Sequence, residues 1–249
     1  MALKGQAFLA LWNDIASGRE PEYDQWHTLE HVPERVAVTG IHGARRYVNR
    51  RRSSHRYFTL YDVDSLQIFE SCEYLDLLQN PTQWSASMRP DFSNFVRAPC
   101  AVRQSTGIGI GAAIACLCVE SGAFDDARIV QALELVRKMP GITSAHWGSG
   151  QSGLPTIPWK KSPSATAEPR AFDSVILIEA LDRDAASAAL AQLRASLDLS
   201  DLPADFGADV YDLAFVFPGT EASEALRHRR PSWSSELEPT RFVASYRTE

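Results

Sequence analysis

The feature that most limits how this 249-residue chain can fold is an order of elements that occurs twice. Residues 7–12, Ala-Phe-Leu-Ala-Leu-Trp, form an almost wholly apolar run that reads as a buried strand. Residues 22–38 carry Trp26, Leu29, Val32, Pro33 and Val36 at helical spacing. Residues 41–49 and 56–62 read as two strands joined by the turn-like Arg50-Arg51-Arg52-Ser53-Ser54. Helical stretches come next, over 65–78 and between Pro81 and Phe95, and 98–104 closes the unit as a strand. The second half runs the same way. It has a strand over 109–119, a helix over 125–138, strands over 142–147 and 174–181, a helix over 184–197 and a last strand over 209–217. The junction after the first helix also recurs: Thr39-Gly40-Ile41-His42-Gly43-Ala44 aligns with Pro140-Gly141-Ile142-Thr143-Ser144-Ala145, 141 − 40 = 101 residues later. Glycine suits that place because the residue after a helix commonly takes positive φ.

The order β-α-β-β-α-β is the ferredoxin-like pattern. Two such units can bury their sheets face to face or join them at the edges, which protects exposed strand edges. We therefore expect an α+β protein of two tandem ferredoxin-like units. Residues 1–106 form the first unit and carry the candidate site; 107–219 form the second; 220–249 are a tail. A long loop over 148–171, rich in Gly, Pro, Ser and Lys and containing Trp159, replaces the short hairpin turn of the first half, and we expect it to be mobile. The tail carries Trp233, Phe242 and Tyr246, which points to docking on the body or on a second copy, a route to a homo-oligomer.

Composition closes off several functions. Lys plus Arg is 25 and Asp plus Glu is 31, so the chain carries −6 and is not built to coat nucleic acid. No apolar run approaches the roughly 18 residues of a membrane helix. The first residues lack the apolar core of a signal peptide, and the expectation is a soluble, cytoplasmic protein. Cys72, Cys100, Cys116 and Cys118 lack zinc-site spacing and read as reduced structural thiols. The glycines at 107, 109 and 111 precede a strand, which is the wrong setting for a dinucleotide loop, and there is no G-x-S-x-G elbow. No cofactor is expected, and the expected partner is a small molecule.

The most distinctive stretch is Tyr23-Asp24-Gln25-Trp26-His27-Thr28-Leu29-Glu30-His31-Val32-Pro33-Glu34-Arg35. It resembles the Y-D-x-W-H-x-x-E-H-x-P-E-R signature of uncharacterised proteins related to the EthD-like group. Residues 74–84, Tyr-Leu-Asp-Leu-Leu-Gln-Asn-Pro-Thr-Gln-Trp, resemble the same group. Over residues 5–218 the chain resembles the dimeric α+β barrel superfamily, in which two units form one barrel. The resemblance implies that both units are fused here into a pseudo-dimeric α+β barrel.

His27 and His31 are four apart and stack on one helical face. At about 100° per residue, Asp24, His27, His31 and Glu34 form a stripe flanked by Glu30. Imidazole titrates near neutrality, and a carboxylate one turn away can fix its tautomer and raise its basicity. Such a pair can take a proton at one position and return it at another, as in isomerisation, decarboxylation, cyclisation or lyase chemistry. Against this, the apolar stripe of Trp26, Leu29, Val32 and Val36 lies nearly opposite, so a regular amphipathic helix would turn the histidines to water. Pro33 argues against a regular helix. The second half, 101 residues on, has Ala127, Arg128, Gln131 and Ala132 in place of Trp26, His27, Glu30 and His31.

Arg45 and Tyr47 share one face of the following strand and Arg46 takes the other. With His55 and Tyr57 of the neighbouring strand, Arg45 and Tyr47 would line the histidine pocket. Trp12, Tyr61, Phe92 and Phe95 read as core. The expected protein is a cofactor-independent lyase- or isomerase-type enzyme acting on a small anionic, cyclic or aromatic substrate. His27 is its base and His31 the acid partner. Glu30 or Glu34 orients them, and Trp26, Arg45, Tyr47, His55 and Tyr57 touch the substrate. The alternatives are a binding protein without catalysis, and a metal enzyme that adds Glu34, Asp24, His42 or His55 to the two histidines.

Overall fold

The computed structural model describes residues 3–119, 125–154, 172–199 and 207–219. Most of the expected 148–171 loop and the whole 220–249 tail lie outside the described residues, as does any oligomer made through that tail. The elements are β1 (Ala7–Ile15), α1 (Glu20–Trp26), a π-helical turn (His27–His31), α2 (Val32–Val36), β2 (Ile41–Val48), β3 (Tyr57–Val63), α3 (Cys72–Gln79), α4 (Gln83–Met88) and β4 (Phe92–Gly107). They continue with β5 (Ala113–Val119), α5 (Asp126–Val136), β6 (Ile142–Gly150), β7 (Ser174–Ala180), α6 (Arg183–Ser196) and β8 (Ala208–Pro218). Among the described residues, no helix is long and apolar enough to cross a membrane.

The strands close into an antiparallel barrel in the order β1-β3-β2-β8-β5-β7-β6-β4. The halves join at two seams, β2 with β8 and β4 with β6. The 16-residue β4 makes closure possible, pairing with β1 along its first part and with β6 along its second. Closure leaves no strand edge to satisfy. Gly40 and Gly141 both take positive φ, at +90° and +80°. Each accepts a backbone hydrogen bond through its carbonyl, from Asp64 and Leu181 respectively. A register shift comes after each, between Ile41 and Gly43 and between Ile142 and Ser144.

Strand alternation sorts the side chains into two layers. Phe8, Ala10 and Trp12 of β1 point into the barrel, where they pack with Tyr47, Phe58, Leu60, Ile114, Leu177 and Tyr211. Buried Cys100 and Cys116 belong to this layer, and burial pushes both thiols well above the usual range. Ala7 and Leu9 point outward beneath the helices. On the second half, α5 and α6 cover the sheet with Ile129, Ala132, Leu133, Val136, Ala186, Ala189, Leu190 and Leu193. They form one continuous apolar core with Ala113, Ala115, Ala145, Ile176 and Ile178 of the strands.

The barrel interior also holds a polar knot. Arg45 is ion-paired to Glu179, both buried, and Tyr47 Oη donates to Glu179 Oε2 at 3.3 Å. The Gly111 amide donates to the same oxygen at 2.9 Å. His146 lies 3.7 Å from Glu179 Oε1 through Nε2, and its Nδ1 meets Ser105 Oγ at 2.8 Å. Arg45 comes from β2 and Glu179 from β7, so the pair ties one half of the barrel to the other.

Two helical readings change. The 65–78 helix is broken at Ser71, whose extended backbone (ψ 148°) and side chain cap α3 by accepting from the Tyr74 amide. A short 3-10 turn, Leu66–Glu70, precedes it. The helix between Pro81 and Phe95 is only α4, and β4 starts at Phe92, because residues 92–97 find ladder partners on β1.

Removing one member of a buried ion pair strands the other charge. Glu179→Leu should therefore cost about 3–5 kcal/mol in urea unfolding, and the double variant Arg45→Met/Glu179→Leu should recover most of that loss. Equal costs for the single and double variants would show that the charge pairing is not the source.

Candidate functional site

The site starts from Pro33. Its nitrogen has no hydrogen to give the carbonyl four residues back, and in an α-helix its ring would collide with that carbonyl. The chain responds with a π turn, in which the Val32 amide donates to the His27 carbonyl five residues earlier. One extra residue in a turn rotates the downstream side chains by roughly 100°. Tyr23 and Trp26 before the π turn, His27 and His31 within it and Arg35 after it all line the hollow over the sheet, while Val32 and Val36 pack into the core. The expected apolar stripe is thereby broken: Leu29 is exposed, and the histidines, expected opposite that stripe, are turned inward.

Between this helix, α3, α4 and the outer face of β1, β3 and β4 lies a cavity of about 800 Å³, counting its open mouth. Its roof includes Trp26, His27, His31 and Arg35; its floor includes Leu9, Leu11 and Asn13 of β1 and Thr59 and Tyr61 of β3. Phe69, Tyr74, Ser85, Arg89, Phe92, Phe95 and Arg97 complete the walls. Among the described residues no carboxylate lines it, while three guanidinium groups do.

The two imidazoles sit 5.2 Å apart between ring centroids. Trp26 stacks on His31 at 4.4 Å, and Tyr23 flanks His27 at 5.3 Å. His27 Nε2 meets Thr59 Oγ1 at 3.4 Å, and the Nδ1 atoms of both histidines have no hydrogen-bond partner among the described residues. Three further atoms on the cavity wall share that condition: Arg35 Nη1, Tyr61 Oη and Arg97 Nη2. Leaving such groups buried and unmet costs about 1–3 kcal/mol each, so five in one hollow call for water or a ligand to meet them.

Electrostatics set the protonation. Burial pushes the His27 pKa well below its usual value, and the charges of Arg46 and His31 add to the effect. Burial does the same to His31, helped by Arg35, Arg89 and Arg46. Both rings are therefore neutral bases at rest. Burial also raises Tyr61 strongly and takes Tyr23 up to about 12, so both phenols stay protonated.

The structure separates several residues that the sequence reading put together. Glu30 orients neither histidine. Its Oε1 accepts from Trp26 Nε1 (3.2 Å), Thr82 Oγ1 (2.6 Å) and Ser85 Oγ (2.9 Å), which fastens the π turn to α4. Glu34 is buried but does not line the cavity. Asp24 is drawn off by Arg46, at 2.5 Å. Arg45 and Tyr47 do not reach the pocket, because alternation on β2 sends them into the barrel and sends Arg46 to the helix side. His55 lies in the hairpin turn, its amide donating to Asp14 Oδ2 at 2.6 Å. Tyr57 packs behind Tyr23 at 4.7 Å and is not a wall residue. His42 pairs with Asp64 at 2.6 Å, away from the cavity. Among the described residues, no group of three His, Cys, Asp or Glu side chains is placed to hold a metal ion.

Missed were Arg35, Thr59, Tyr61, Arg89, Arg97, Phe92 and Phe95. Arg35 stands in the signature, four residues after His31, and the outward alternation of Thr59 with Tyr61 and of Phe95 with Arg97 was readable once the faces were known. Tyr61, Phe92 and Phe95, expected in the core, are wall residues, while Trp12 does lie in the barrel core.

Two solved structures share this architecture. One, an anthrone oxidase-like protein, is 11% identical, with 88% of this chain and 96% of that chain covered and a TM-score of 0.54. The shared fold is an α+β one built on an eight-stranded antiparallel barrel. The other, a candidate monooxygenase from Fusobacterium nucleatum subsp. nucleatum, is 11% identical, with 87% and 96% covered and a TM-score of 0.51. At this identity the likeness shows fold alone. No family model matches the chain, and no curated protein matches it.

The buried histidines make stability depend on pH. The unfolded chain takes up their protons near the ordinary value of 6.5, while the folded protein resists until well below it. Stability is thus intact above that value and falls as pH drops through it, by up to about 1.4 kcal/mol per pH unit for each histidine. Unfolding measured from pH 8 to 5 should show this fall in the wild type, and the double variant His27→Gln/His31→Gln should be flatter. Parallel curves would mean that the rings are not buried neutral.

Proposed function

We propose that the chain is an enzyme that moves a proton on a small, anionic, cyclic or aromatic organic molecule, with His27 as the base. The observation that carries this reading is the set of five buried, partnerless polar atoms on the wall of one cavity that has arginines and no carboxylate. A ligand offering oxygen acceptors answers the arginines and the tyrosine, and aromatic walls suit a flat ring. Neutral His27, with Nε2–H donating to Thr59, would keep Nδ1 free to accept a proton. His31, one turn away, would receive or return a proton once an anion has offset the surrounding positive charge. Isomerisation, cyclisation and elimination can begin with such a step, and decarboxylation can end with its reverse, a histidine returning a proton to the carbanion left when CO2 departs.

The comparison proteins favour a second reading. Both carry oxidative names, and the enolate or phenolate that His27 would generate is also the electron-rich species that dioxygen attacks. In either case the first step is the same. A metal centre on His27 and His31 is disfavoured by the donor set, because a dication would meet Arg35, Arg46 and Arg89 with no carboxylate on the wall. We also read the two halves as tandem ferredoxin-like units. The matched glycines and register shifts support that, and residues 23–35 and 74–84 support kinship with the EthD-like group.

The test is a panel of hydroxylated aromatic acids and enolisable cyclic acids incubated with the protein in heavy water, under air and under argon. Exchange or conversion is tracked by NMR. Turnover of a member of the panel should fall by ~10²–10⁴ in His27→Gln. Unchanged turnover would remove His27, and tight binding without exchange or conversion would make the chain a binding protein.

A further inference from the structure

The cavity has two chemically different ends. At one end Arg35 stands over the Tyr74 ring at 5.8 Å and Arg97 over the Phe69 ring at 5.1 Å. Those two rings touch each other, with centroids 5.2 Å apart. Both guanidiniums are thus steered to one corner by stacking, and no carboxylate pairs with either among the described residues. Arg35 Nη1 and Arg97 Nη2 each lack a partner, and so does the Tyr61 hydroxyl. Arg35 and Tyr61 are more than nine-tenths buried. At the other end His27 rests against Thr59.

The spacing between the ends is set by strand geometry. Thr59 and Tyr61 lie two apart on β3 and share the floor, roughly 7 Å from one another. On the roof, one helical turn separates His27 from His31, and Arg35 continues the row. Arg97 and Thr59 are both paired to Leu11, on opposite sides of β1, so their backbones are level; the Arg97 guanidinium reaches the Tyr61 end by leaning over Phe69, which lies in one apolar cluster with Tyr61 and Tyr74. A single benzene ring bearing substituents at opposite positions spans such a distance, and neighbouring substituents do not.

We propose that this site takes a ring acid end-on, with its carboxylate in the Arg35–Arg97–Tyr61 corner and an acidic hydroxyl or carbon–hydrogen group para to it, beside His27. This rests on the reading of the cavity as the active site and adds the substrate's shape. In the step it implies, the substrate's O–H or C–H bond breaks and an N–H bond forms on His27. The electron pair stays on the substrate and spreads through the ring toward the two guanidiniums. Tyr61 donates its hydroxyl hydrogen to the carboxylate and remains protonated.

The probes are 2-, 3- and 4-hydroxybenzoate, titrated into the whole chain at pH 7.5 by calorimetry and ultraviolet difference spectroscopy. The 4-isomer should bind at least about tenfold more tightly than the 2-isomer, and Tyr61→Phe and Arg97→Gln should each weaken it about tenfold or more. Tyr61→Phe removes only a partnerless hydroxyl and should melt no lower than the wild type, so it decides the matter if Arg97→Gln fails to fold. Bound 4-hydroxybenzoate should show phenolate absorbance that His27→Gln abolishes. Equal affinity for the three isomers, indifference to Tyr61→Phe, or a phenolate signal that survives in His27→Gln would overturn the end-on arrangement and leave the site reading standing. Binding of none of the three would overturn both.

Discussion

A sheet closed on itself gives every strand two faces and no edge, and everything that binds must use one of those faces. Here the inner face is filled. Trp12 and Phe58 meet at 4.8 Å between ring centroids, Tyr47 and Tyr211 each lie 5.7 Å from Phe58, and the Arg45–Glu179 pair occupies the remaining polar space. A ligand is therefore left the outer face, beneath the helices. On the second half that face is covered by α6, one unbroken helix packed on the sheet through Ala186, Ala189, Leu190 and Leu193. On the first half the corresponding cover is interrupted at Ser71 and again between α3 and α4, and the cavity opens beneath it. The cavity beneath the histidines lies where helix packing is least regular.

Within that space, the missing amide hydrogen of Pro33 decides which way the helix faces. A regular α-helix would already set His27, His31 and Arg35, each four residues apart, on one side, but opposite the apolar stripe. With the π turn at His27–His31, all three stand over the cavity floor. The turn is held from outside by Glu30, whose three donors come from Trp26 and from the start of α4. Glu30 is a structural fastener that sets where the roof sits, although its place in the signature invites a catalytic role.

The sequence displayed the architecture more openly than the site. Element order, the glycine junctions and strand alternation depend on local rules, and the barrel keeps to the outline they drew. Failures came where a tertiary partner overrode a local signal. β4 begins at Phe92 because β1 offers it a ladder, although residues 83–95 read as helical. Arg45 and Tyr47 were correctly placed on one face of β2, but alternation alone does not tell which face looks into the barrel. Pro33 flagged an irregular helix without saying that the irregularity would turn the histidines inward. Arg97 and Tyr61 carried no motif, since each becomes a site residue only through what stands above it.

The electrostatics of the cavity bind these parts together. Arg46 is matched by Asp24 outside the hollow, but Arg35, Arg89 and Arg97 bring to its wall positive charge that no carboxylate on that wall offsets. Burial above all, with the charge of Arg46 and His31 at His27 and of Arg35, Arg89 and Arg46 at His31, strips the histidines of their protons and makes them acceptors. The same field attracts an anion, and an arriving anion cancels part of it, which lifts the proton affinity of both rings when a substrate is in place. Base strength and substrate binding are therefore two consequences of one charge distribution. A site with carboxylates beside the histidines, as the sequence stripe implied, would have raised the imidazoles without a ligand and repelled the anion it was meant to bind. The arrangement found here reverses both effects, and it needs only that Asp24, Glu30 and Glu34 be kept off the cavity wall.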